Sequence, residues 1–458
     1  MVKVTVYITA HNYGHFLLQS IESVLRQKYD SWELIVINDG STDNTKGILE
    51  KFTDHQKIKI IHQKNKGLTT SNNIATRMSQ GEYLMRLDAD DYLDENALLV
   101  LANILETHPH IGLVYPDYYR IDENGEVLDI QRRKKLESEV DVLDLPAHGA
   151  CTMIRKSCLM ELGGYDESIQ RQDGYDLWIR FIQRFKPYNV NIPLFYYRQH
   201  GDSLTLNKQE LLATRRRIKR NFVRSNILQM PQVLAIIPVQ KRTQPLPNLS
   251  FKKLAGKYLL DFTLEEACKS SVLGKIVLTS DDEDVLGYVE KYPKIQKIKR
   301  PEELALPNTR IEPTVSYVLE HLREKQNYQP DAVMLLYPHT PLRKKSHIET
   351  AIDTMVIFDM DSVISVCEDI HIFYQHTKKG LSPLFPKRQL RLERDALYQE
   401  NGAVYVSKVN KIKSDSFLGE KLGHVVMLPE ESIKIDSSYH LWLAETILEK
   451  WNLKLYEK

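Results

Sequence analysis

The sequence predicts an α/β protein made of two α/β domains in tandem, the first over residues 1–228 and the second over 232–458. Three observations lead there. Short apolar runs alternate with helical periodicity from residue 1 to about 110, the same rhythm restarts after Pro231, and acidic clusters stand directly after two of the predicted strands. A chain of 458 residues also exceeds what one hydrophobic core usually organises.

Val4-Thr5-Val6-Tyr7-Ile8 opens the chain as a buried strand, and Phe16 to Leu25 carries apolar residues at helical spacing. Glu33-Leu34-Ile35-Val36-Ile37 is the next strand and runs into Asn38-Asp39-Gly40-Ser41-Thr42-Asp43. Gly81-Glu82-Tyr83-Leu84-Met85-Arg86-Leu87 is another and runs into Asp88-Ala89-Asp90-Asp91. Tyr115 to Asp144 is polar and irregular and predicts connecting loops, whereas Lys156 to Leu162 predicts a helix stopped by Gly163-Gly164. Gln209 to Leu228 predicts a helix bearing Arg215, Arg216, Arg217, Lys219, Arg220 and Arg224, ended by Pro231. With no aromatic stacking platform beside it, that basic run fits a solvated closing helix better than a nucleic-acid site. Val233-Leu234-Ala235-Ile236-Ile237-Pro238 then starts the second domain, with no Gly/Ser-rich linker or short repeat in between.

Lys plus Arg at 62 against Asp plus Glu at 61 leaves a net charge of +1, which argues against a global preference for nucleic acid or a membrane surface. Cys151, Cys158, Cys268 and Cys367 show neither CxxC pairing nor zinc-like spacing, so reduced thiols and a cytoplasmic location are expected. Met1 to Ile8 has the pattern of a first strand rather than a signal peptide, and no apolar run approaches the roughly 18 residues of a membrane span.

Chemistry concentrates at the acidic clusters. In open α/β sheets the ligand crevice lies at the carboxyl ends of the strands. Two carboxylates with one spacer, as in Asp88-Ala89-Asp90, can share a divalent cation, and a cation on a diphosphate stabilises the charge that develops as the diphosphate leaves. The first cluster also reads as an Asp-Gly turn with Ser41 or Thr42 capping a helix. The order of the motifs adds a resemblance: residues 1 to about 225 resemble the family-2 glycosyltransferases of the GT-A fold. Val4 to Tyr13 is similar to their opening strand and nucleotide loop, which implies Thr9, His11 and Asn12 at the nucleotide, although Thr9 and His11 stand where Pro and Tyr are usual. Asp39 matches the carboxylate that accepts a hydrogen bond from a pyrimidine ring. Asp88-Ala89-Asp90 resembles the family's Asp-x-Asp motif, implying Asp88 on the ribose or metal side and Asp90 on a Mg²⁺ or Mn²⁺ that bridges the diphosphate.

Gly163-Gly164-Tyr165-Asp166-Glu167 and Gln172-Asp173-Gly174-Tyr175-Asp176-Leu177-Trp178 resemble the acceptor-side signature of these enzymes. The resemblance implies inversion at the anomeric carbon with Asp173 as the general base, placed to take the acceptor hydroxyl's proton. Asp176 opens a predicted helix, where a carboxylate also stabilises the first turn. Tyr197-Arg198-Gln199-His200 matches a later motif, with His200 at the metal or diphosphate and Arg198 positioned to offset phosphate charge.

Residues 233 to about 450 resemble the CMP-acylneuraminate and CMP-Kdo cytidylyltransferases through Ile236-Ile237-Pro238, Thr279-Ser280-Asp281-Asp282, Arg300-Pro301-Glu302-Glu303-Leu304-Ala305, Pro338-His339-Thr340-Pro341-Leu342-Arg343 and Glu400-Asn401-Gly402, in family order. The implied architecture is two nucleotide-binding α/β domains, a GT-A glycosyltransferase followed by a nucleotidyltransferase-like Rossmann-type domain. Gln240, Lys241, Arg242, Arg343, Arg388, Asn401 and Asp436 are its candidate ligand-binding residues, with CTP or a CMP-sugar as the candidate ligand. Two departures bear on catalysis. Gln240 and Gln244 replace both cations of the family's Arg-x-Gly-Ser-Lys loop, and Lys434 replaces one carboxylate of an Asp-x-Asp pair that Asp436 completes.

The expected function is a metal-dependent inverting glycosyltransferase that moves a sugar from a nucleotide-diphosphate donor to a glycan or glycoconjugate acceptor in surface polysaccharide synthesis. Two alternatives concern the second domain: it makes a CMP-activated nonulosonic or Kdo-like sugar, or it is a non-catalytic module for a nucleotide or acidic sugar. Self-association stays open.

Overall fold

The computed structural model describes residues 2–133, 149–169, 171–200, 207–240, 246, 248–306, 309–378, 380–384 and 397–451. The chain divides into two compact units, Met1–Ile218 and Lys219–Lys458. The division falls inside a helix, about ten residues before the boundary expected from Pro231.

The first unit runs β1 (Val4–Ala10), α1 (Gly14–Leu25), β2 (Trp32–Asp39), α2 (Thr45–Glu50), β3 (Ile58–Gln63), α3 (Leu68–Met78), β4 (Tyr83–Asp88), β5 (Tyr92–Leu93), α4 (Ala97–Thr107), β6 (Ile111–Ile121), β7 (Val127–Gln131), β8 (Met153–Arg155), α5 (Lys156–Glu161), α6 (Asp173–Ile182), β9 (Lys186–Arg198) and α7 (Lys208–Asn226). Among the described residues its sheet has the order β3-β2-β1-β4-β8-β6-β9-β5, with β7 paired to β6. β3, β2, β1 and β4 are parallel, and β8 enters antiparallel between β4 and β6.

Helices on both faces explain why β1 and β2 are apolar almost throughout rather than alternating. Val4, Val6, Ile8, Leu34 and Val36 pack with Leu17, Ile21 and Val24 of α1 on one side, while Tyr7, Ile35 and Ile37 pack with Ala75 of α3 on the other. Leu17, Ile21 and Val24 sit four and three residues apart, the spacing of one helix face, and burying each side chain contributes roughly 1.5–3 kcal/mol before entropy is counted.

The stretch expected as loops from Tyr115 to Asp144 begins instead with the end of an eleven-residue strand followed by a hairpin, a correction with a local cause, while its part from 134 onward lies outside the described residues. Pro116 and Asp117 disguise the strand in the sequence, and the register slips at Pro116/Asp117, so the proline lies at an irregularity of the ladder where its missing N–H is tolerated. Asp122 closes the hairpin by accepting from the Asn124 and Glu126 amides, with Gly125 at φ +92°. The helix predicted from Lys156 does end at the paired glycines, where Gly163 and Gly164 take φ +80° and +78°.

The second unit contains β10 (Val233–Val239), β11 (Lys253–Leu254), β12 (Lys257–Tyr258), α8 (Leu259–Lys269), β13 (Leu273–Ser280), α9 (Glu283–Tyr288), β14 (Ile295–Lys299), α10 (Glu312–Gln326), β15 (Ala332–Leu335), α11 (Lys345–Ile357), β16 (Ser362–Asp369), β17 (Tyr374–Thr377), β18 (Gly380–Pro383), β19 (Leu397–Lys408), β20 (Leu422–Val426) and α12 (Ser438–Thr446). Its main sheet has the order β14-β13-β10-β15-β19-β16-β20, with β19 antiparallel to both neighbours. From β10 the chain builds outward to β13 and β14, then returns to place β15 on the other side, so the strand order reverses between β10 and β15. Among the described residues of both units, no helix is long and apolar enough to cross a membrane.

Candidate active site

The parallel register of the first unit brings the sequence-predicted residues to one sheet edge. Thr9 of β1 lies level with Asp88 of β4 and with Ile37 of β2, so His11, Asp39 and Asp88 all emerge at the carboxyl ends of adjacent strands. The Thr9 hydroxyl is buried there without a hydrogen-bond partner. Asn12, at φ +62°, turns the chain out of β1, and its side-chain Oδ1 accepts from the Thr42 amide at 2.8 Å. His11 Nδ1 lies 2.9 Å from the Asp39 carbonyl.

Asp39 is buried and already occupied. Its Oδ1 accepts from Gln63 Nε2 at 2.7 Å and the Lys66 amide at 2.8 Å, and its Oδ2 accepts from the Gly67 amide at 2.9 Å. The carboxylate thus shapes the loop from β3 into α3, where Gly67 has φ +86°. Asp43, rather than Ser41 or Thr42, holds the start of α2 by accepting from the Thr45 amide at 3.0 Å, and its other oxygen accepts from the Gly14 amide at 2.8 Å.

Asp88, Asp90 and Asp91 crowd negative charge at the end of β4. Asp90 is mostly buried, and its Oδ2 lies 2.9 Å from His200 Nε2. Burial first and the Asp88 charge second hold the Asp90 carboxyl above its usual range, while the hydrogen bond from His200 opposes them. Asp91 is buried more deeply still. Its Oδ1 accepts from the Arg198 amide at 2.9 Å while its Oδ2 has no partner, and burial followed by the charges of Asp90 and Asp88 raises it well above the ordinary value. His200 is wedged beside the rings of Tyr13 and Phe16.

Arg198, expected near phosphate, is only 2% exposed and is spent within the fold. Its guanidinium donates to the carbonyls of Asp90 and Glu123 and to Gln19 Oε1, tying the acidic loop to the β6–β7 turn.

The acceptor-side carboxylates separate by partner. Asp173, the first residue of α6, is buried against Arg86 and Asn72, whose Nη1 and Nδ2 donate to its Oδ2 at 2.9 and 3.2 Å. Asp176 turns to Arg180, which forks onto its Oδ2 at 2.9 and 2.7 Å. Arg86 also donates through Nε to Asp88 Oδ1 at 2.6 Å. Burial alone would lower the Arg86 guanidinium, but Asp88 and then Asp173 carry it well above its usual value.

Arg86, Asn72 and the phenol pair Tyr7–Tyr165, joined at 2.9 Å, belong to the cluster but escaped the sequence reading. Arg86 carried a usable signal, since residues i and i+2 of a strand share a face and Arg86 is two before Asp88. Asn72 lies on α3 with no comparable cue.

In the second unit, a cavity of about 190 Å³ opens where the strand order reverses, walled by Gln240, Ser250, Arg300, Arg310, Tyr337 and His339 among others. Arg300 is 2% exposed, donates to the Val239 carbonyl at 2.9 Å and leaves Nε without a partner; burial lowers its pKa. His339 is held down at about 3, by burial first and then by Lys434 and Arg343. The Ile435 amide donates to the His339 carbonyl at 2.7 Å, and Asp436 engages His440 Nδ1 at 2.5 Å.

Arg343 and Asn401 lie inside the fold rather than on that wall. Arg343 donates to the Ala403 carbonyl and to Thr263 Oγ1, both at 2.6 Å, and burial lowers it to about 9. Asn401 accepts from Ser365 Oγ and the Ala403 amide and donates to Ser432 Oγ. Lys241, Arg242, Gln244 and Arg388 lie outside the described residues.

A mixed sheet with carboxylates gathered at the ends of its parallel strands makes the first unit an α/β domain with the ligand crevice typical of open sheets. Comparison with known proteins gives its family. The family described as "Glycosyl transferase family 2" matches residues 5–163. The "Putative glycosyltransferase EpsE" of Bacillus subtilis is 32% identical over 212 residues, covering 44% of this chain and 74% of that protein. A "Chondroitin synthase" of Escherichia coli is 28% identical over 215 residues, covering 45% of this chain but only 30% of the synthase's length. The crystal structure of residues 1–349 of S. aureus TarS in complex with UDP-GlcNAc aligns with a TM-score of 0.42 and 17% identity, covering 48% of this chain and 67% of that one. The chain belongs to glycosyl transferase family 2.

Proposed function

We propose that the first unit transfers a sugar, with inversion, from a nucleoside diphosphate donor to a glycan or glycoconjugate acceptor in surface polysaccharide synthesis. The observation that carries this reading is the convergence of Asp88, Asp90 and Asp173 on one sheet edge, with Arg86 joining the first to the last. The similarity to a protein named a chondroitin synthase supports a glycan acceptor.

Asp88, Asp90 and His200 fit a divalent cation, Mg²⁺ or Mn²⁺. Burial first, and then the like charge of Asp88, hold the Asp90 carboxyl above its ordinary value, and a cation would relieve that repulsion. Among the described residues no group of three or more His, Cys, Asp or Glu stands together as a metal site on its own, so the protein would supply Asp88 and Asp90, with His200 hydrogen-bonded to Asp90, and phosphate oxygens and water would have to supply the remaining ligands. When bound, the cation supplies charge neutralisation on the leaving diphosphate.

The chain's own residues supply the rest. Thr9, His11, Asn12 and Asp39 border the nucleotide end, where Thr9 lies near the end of β1, His11 and Asn12 follow that strand and Asp39 closes its neighbour β2. Asp173 takes the acceptor hydroxyl's proton as the new bond to the anomeric carbon forms and the bond to the diphosphate oxygen breaks, its electron pair leaving with the diphosphate. Oδ1 of Asp173 suits that task, since both hydrogen bonds from Arg86 and Asn72 fall on Oδ2.

For the second unit, a cytidylyltransferase-like fold that binds a nucleotide or acidic sugar without activating it fits best. Arg300 on the cavity wall has no carboxylate in ion-pair distance among the described residues, which favours an anionic occupant, while Gln240 and Lys434 stand where catalysis would use a cation and a carboxylate. A screen of UDP-, GDP-, CDP- and dTDP-hexoses, read as nucleoside diphosphate release with and without Mn²⁺, tests the transferase assignment. Turnover of one donor that disappears with EDTA is the expected result, and metal-independent turnover would remove the cation from the proposal.

A further inference from the structure

Arg86 stands apart from the rest of the cluster because one side chain serves two functions' worth of carboxylates. It projects from β4 between Asp88, on the donor side, and Asp173, on the acceptor side, and its own side chain is only 12% exposed. Nε takes Asp88 Oδ1 and Nη1 takes Asp173 Oδ2, a division that the rigid fork of a guanidinium allows and a single ammonium does not. The guanidinium is boxed in: a Cβ at Gly149 would sit 3.3 Å from Nη1, and Tyr7, Tyr165 and Trp178 line the same small cavity as Arg86. It therefore has little freedom to swing away when substrates enter.

Asp173 is correspondingly one-sided. Asn72 from α3 and Arg86 from β4 both donate to Oδ2, and no donor reaches Oδ1 among the described residues. The other ionisable groups in its field are the Tyr7 and Tyr165 phenols, pushed up first by burial, and Asp176 one turn further along α6. Arg86 is the cation in contact with Asp173.

We propose that Arg86 is a positioning residue for transfer: it pins Oδ2 of Asp173 so that Oδ1 faces the acceptor hydroxyl, and through the same guanidinium it fixes that base relative to the donor-side carboxylate Asp88. The inference rests on the reading of Asp173 as general base. The proton still passes from the acceptor oxygen to Asp173 Oδ1, and Arg86 exchanges none. Its contribution is orientation, which matters because a displacement of about 1 Å in a reacting group can lower a rate by roughly 10²-fold.

A double-mutant cycle on the full-length chain tests this. Nucleoside diphosphate release is followed at the hexose donor that the wild type turns over fastest, for Asp173→Asn, Arg86→Gln, Arg86→Lys and the two double variants, with kcat and KM as a function of pH. Asp173→Asn and Arg86→Gln are each expected to lower kcat by about 10²-fold with donor KM changed less than about threefold, and the double variant to be no slower than Asp173→Asn alone. Arg86→Lys, whose single ammonium cannot reproduce the two-way fork, should recover only part of kcat with donor KM again little changed. If Arg86→Gln does not fold, as thermal melting will reveal, Arg86→Lys carries the cycle, and its loss must vanish in the Asp173→Asn background. Losses that multiply in the double variant, or a loss in Arg86→Gln that falls on donor KM rather than on kcat, overturn the role of Arg86. A wild-type rate in Asp173→Asn would instead overturn the assignment of the base and the inference with it.

Discussion

The two units arrange charge in opposite ways at the ends of similar sheets. In the first, carboxylates crowd the strand ends, and the buried arginines among them are committed: Arg86 to Asp88 and Asp173, Arg198 to carbonyls. In the second, Arg300 and Arg343 are buried with no carboxylate in ion-pair distance among the described residues, and His339 is kept neutral beside them. Desolvating a charge is costly unless something compensates it. The first unit therefore has excess negative charge that suits a cation, and the second has positive charge that suits an anion. A shared open-sheet architecture does not imply shared chemistry; the residues at the strand ends decide it.

The largest expected effect breaks the acidic side of this comparison. Asp90→Ala should lower transfer by roughly 10³-fold while the thermal midpoint holds, because the diphosphate loses its charge compensation. Near-normal turnover in a folded variant would take Asp90 out of the site.

Next comes the pair of carboxylates on α6. Asp173→Asn should cost about 10²-fold in kcat with donor binding preserved, and Asp176→Asn less than about tenfold, since Asp176 is occupied by Arg180. A larger loss in Asp176→Asn would exchange their roles.

The second unit should be nearly silent in a catalytic assay. Pyrophosphate release from CTP by the full-length chain, offered nonulosonic acids and Kdo with millimolar Mg²⁺, is expected to stay at background. Robust release would mean that cationic residues such as Lys241, Arg242 or Lys434 neutralise the triphosphate after all.

The smallest effect sharpens the electrostatic contrast. His339 is depressed to about 3, so the unfolded chain binds a proton that the folded chain refuses between its ordinary pKa near 6.5 and about 3. Its contribution to stability is present above about 6.5 and is lost as pH falls through that window. Asp353 runs the other way: burial raises it to about 6 despite Arg220, so its contribution is present below about 4 and is lost as pH rises through 6. His339→Gln should thus raise the melting midpoint near pH 4 by a few degrees, about 2–4 °C for each kcal/mol in a domain of this size, and leave pH 8 unchanged. An equal shift at both pH values would show that packing, not titration, is responsible.

Much of this was legible from local pattern. The strands ending at Ala10, Asp39 and Asp88 are largely apolar on both faces and run into polar residues, so sequence alone places His11, Asp39 and Asp88 at one end of the sheet. The glycine stop after α5 and the fresh strand at Val233 follow equally from backbone preference and hydrophobic periodicity. What only the tertiary structure decided depends on partners distant in the chain. Pro116 hides β6 until the irregular pairing with β9 accommodates it. Asp39 proves to be held by three donors because the 63–67 segment folds onto it. Arg198 sinks under the acidic loop, and Arg86 finds Asp173 eighty-seven residues away. Sequence pattern determines which residues can emerge at a strand end, since that depends on neighbours two to four positions apart. Which oxygen remains unbonded, and which cation faces which carboxylate, is set by contacts made only when the whole sheet closes.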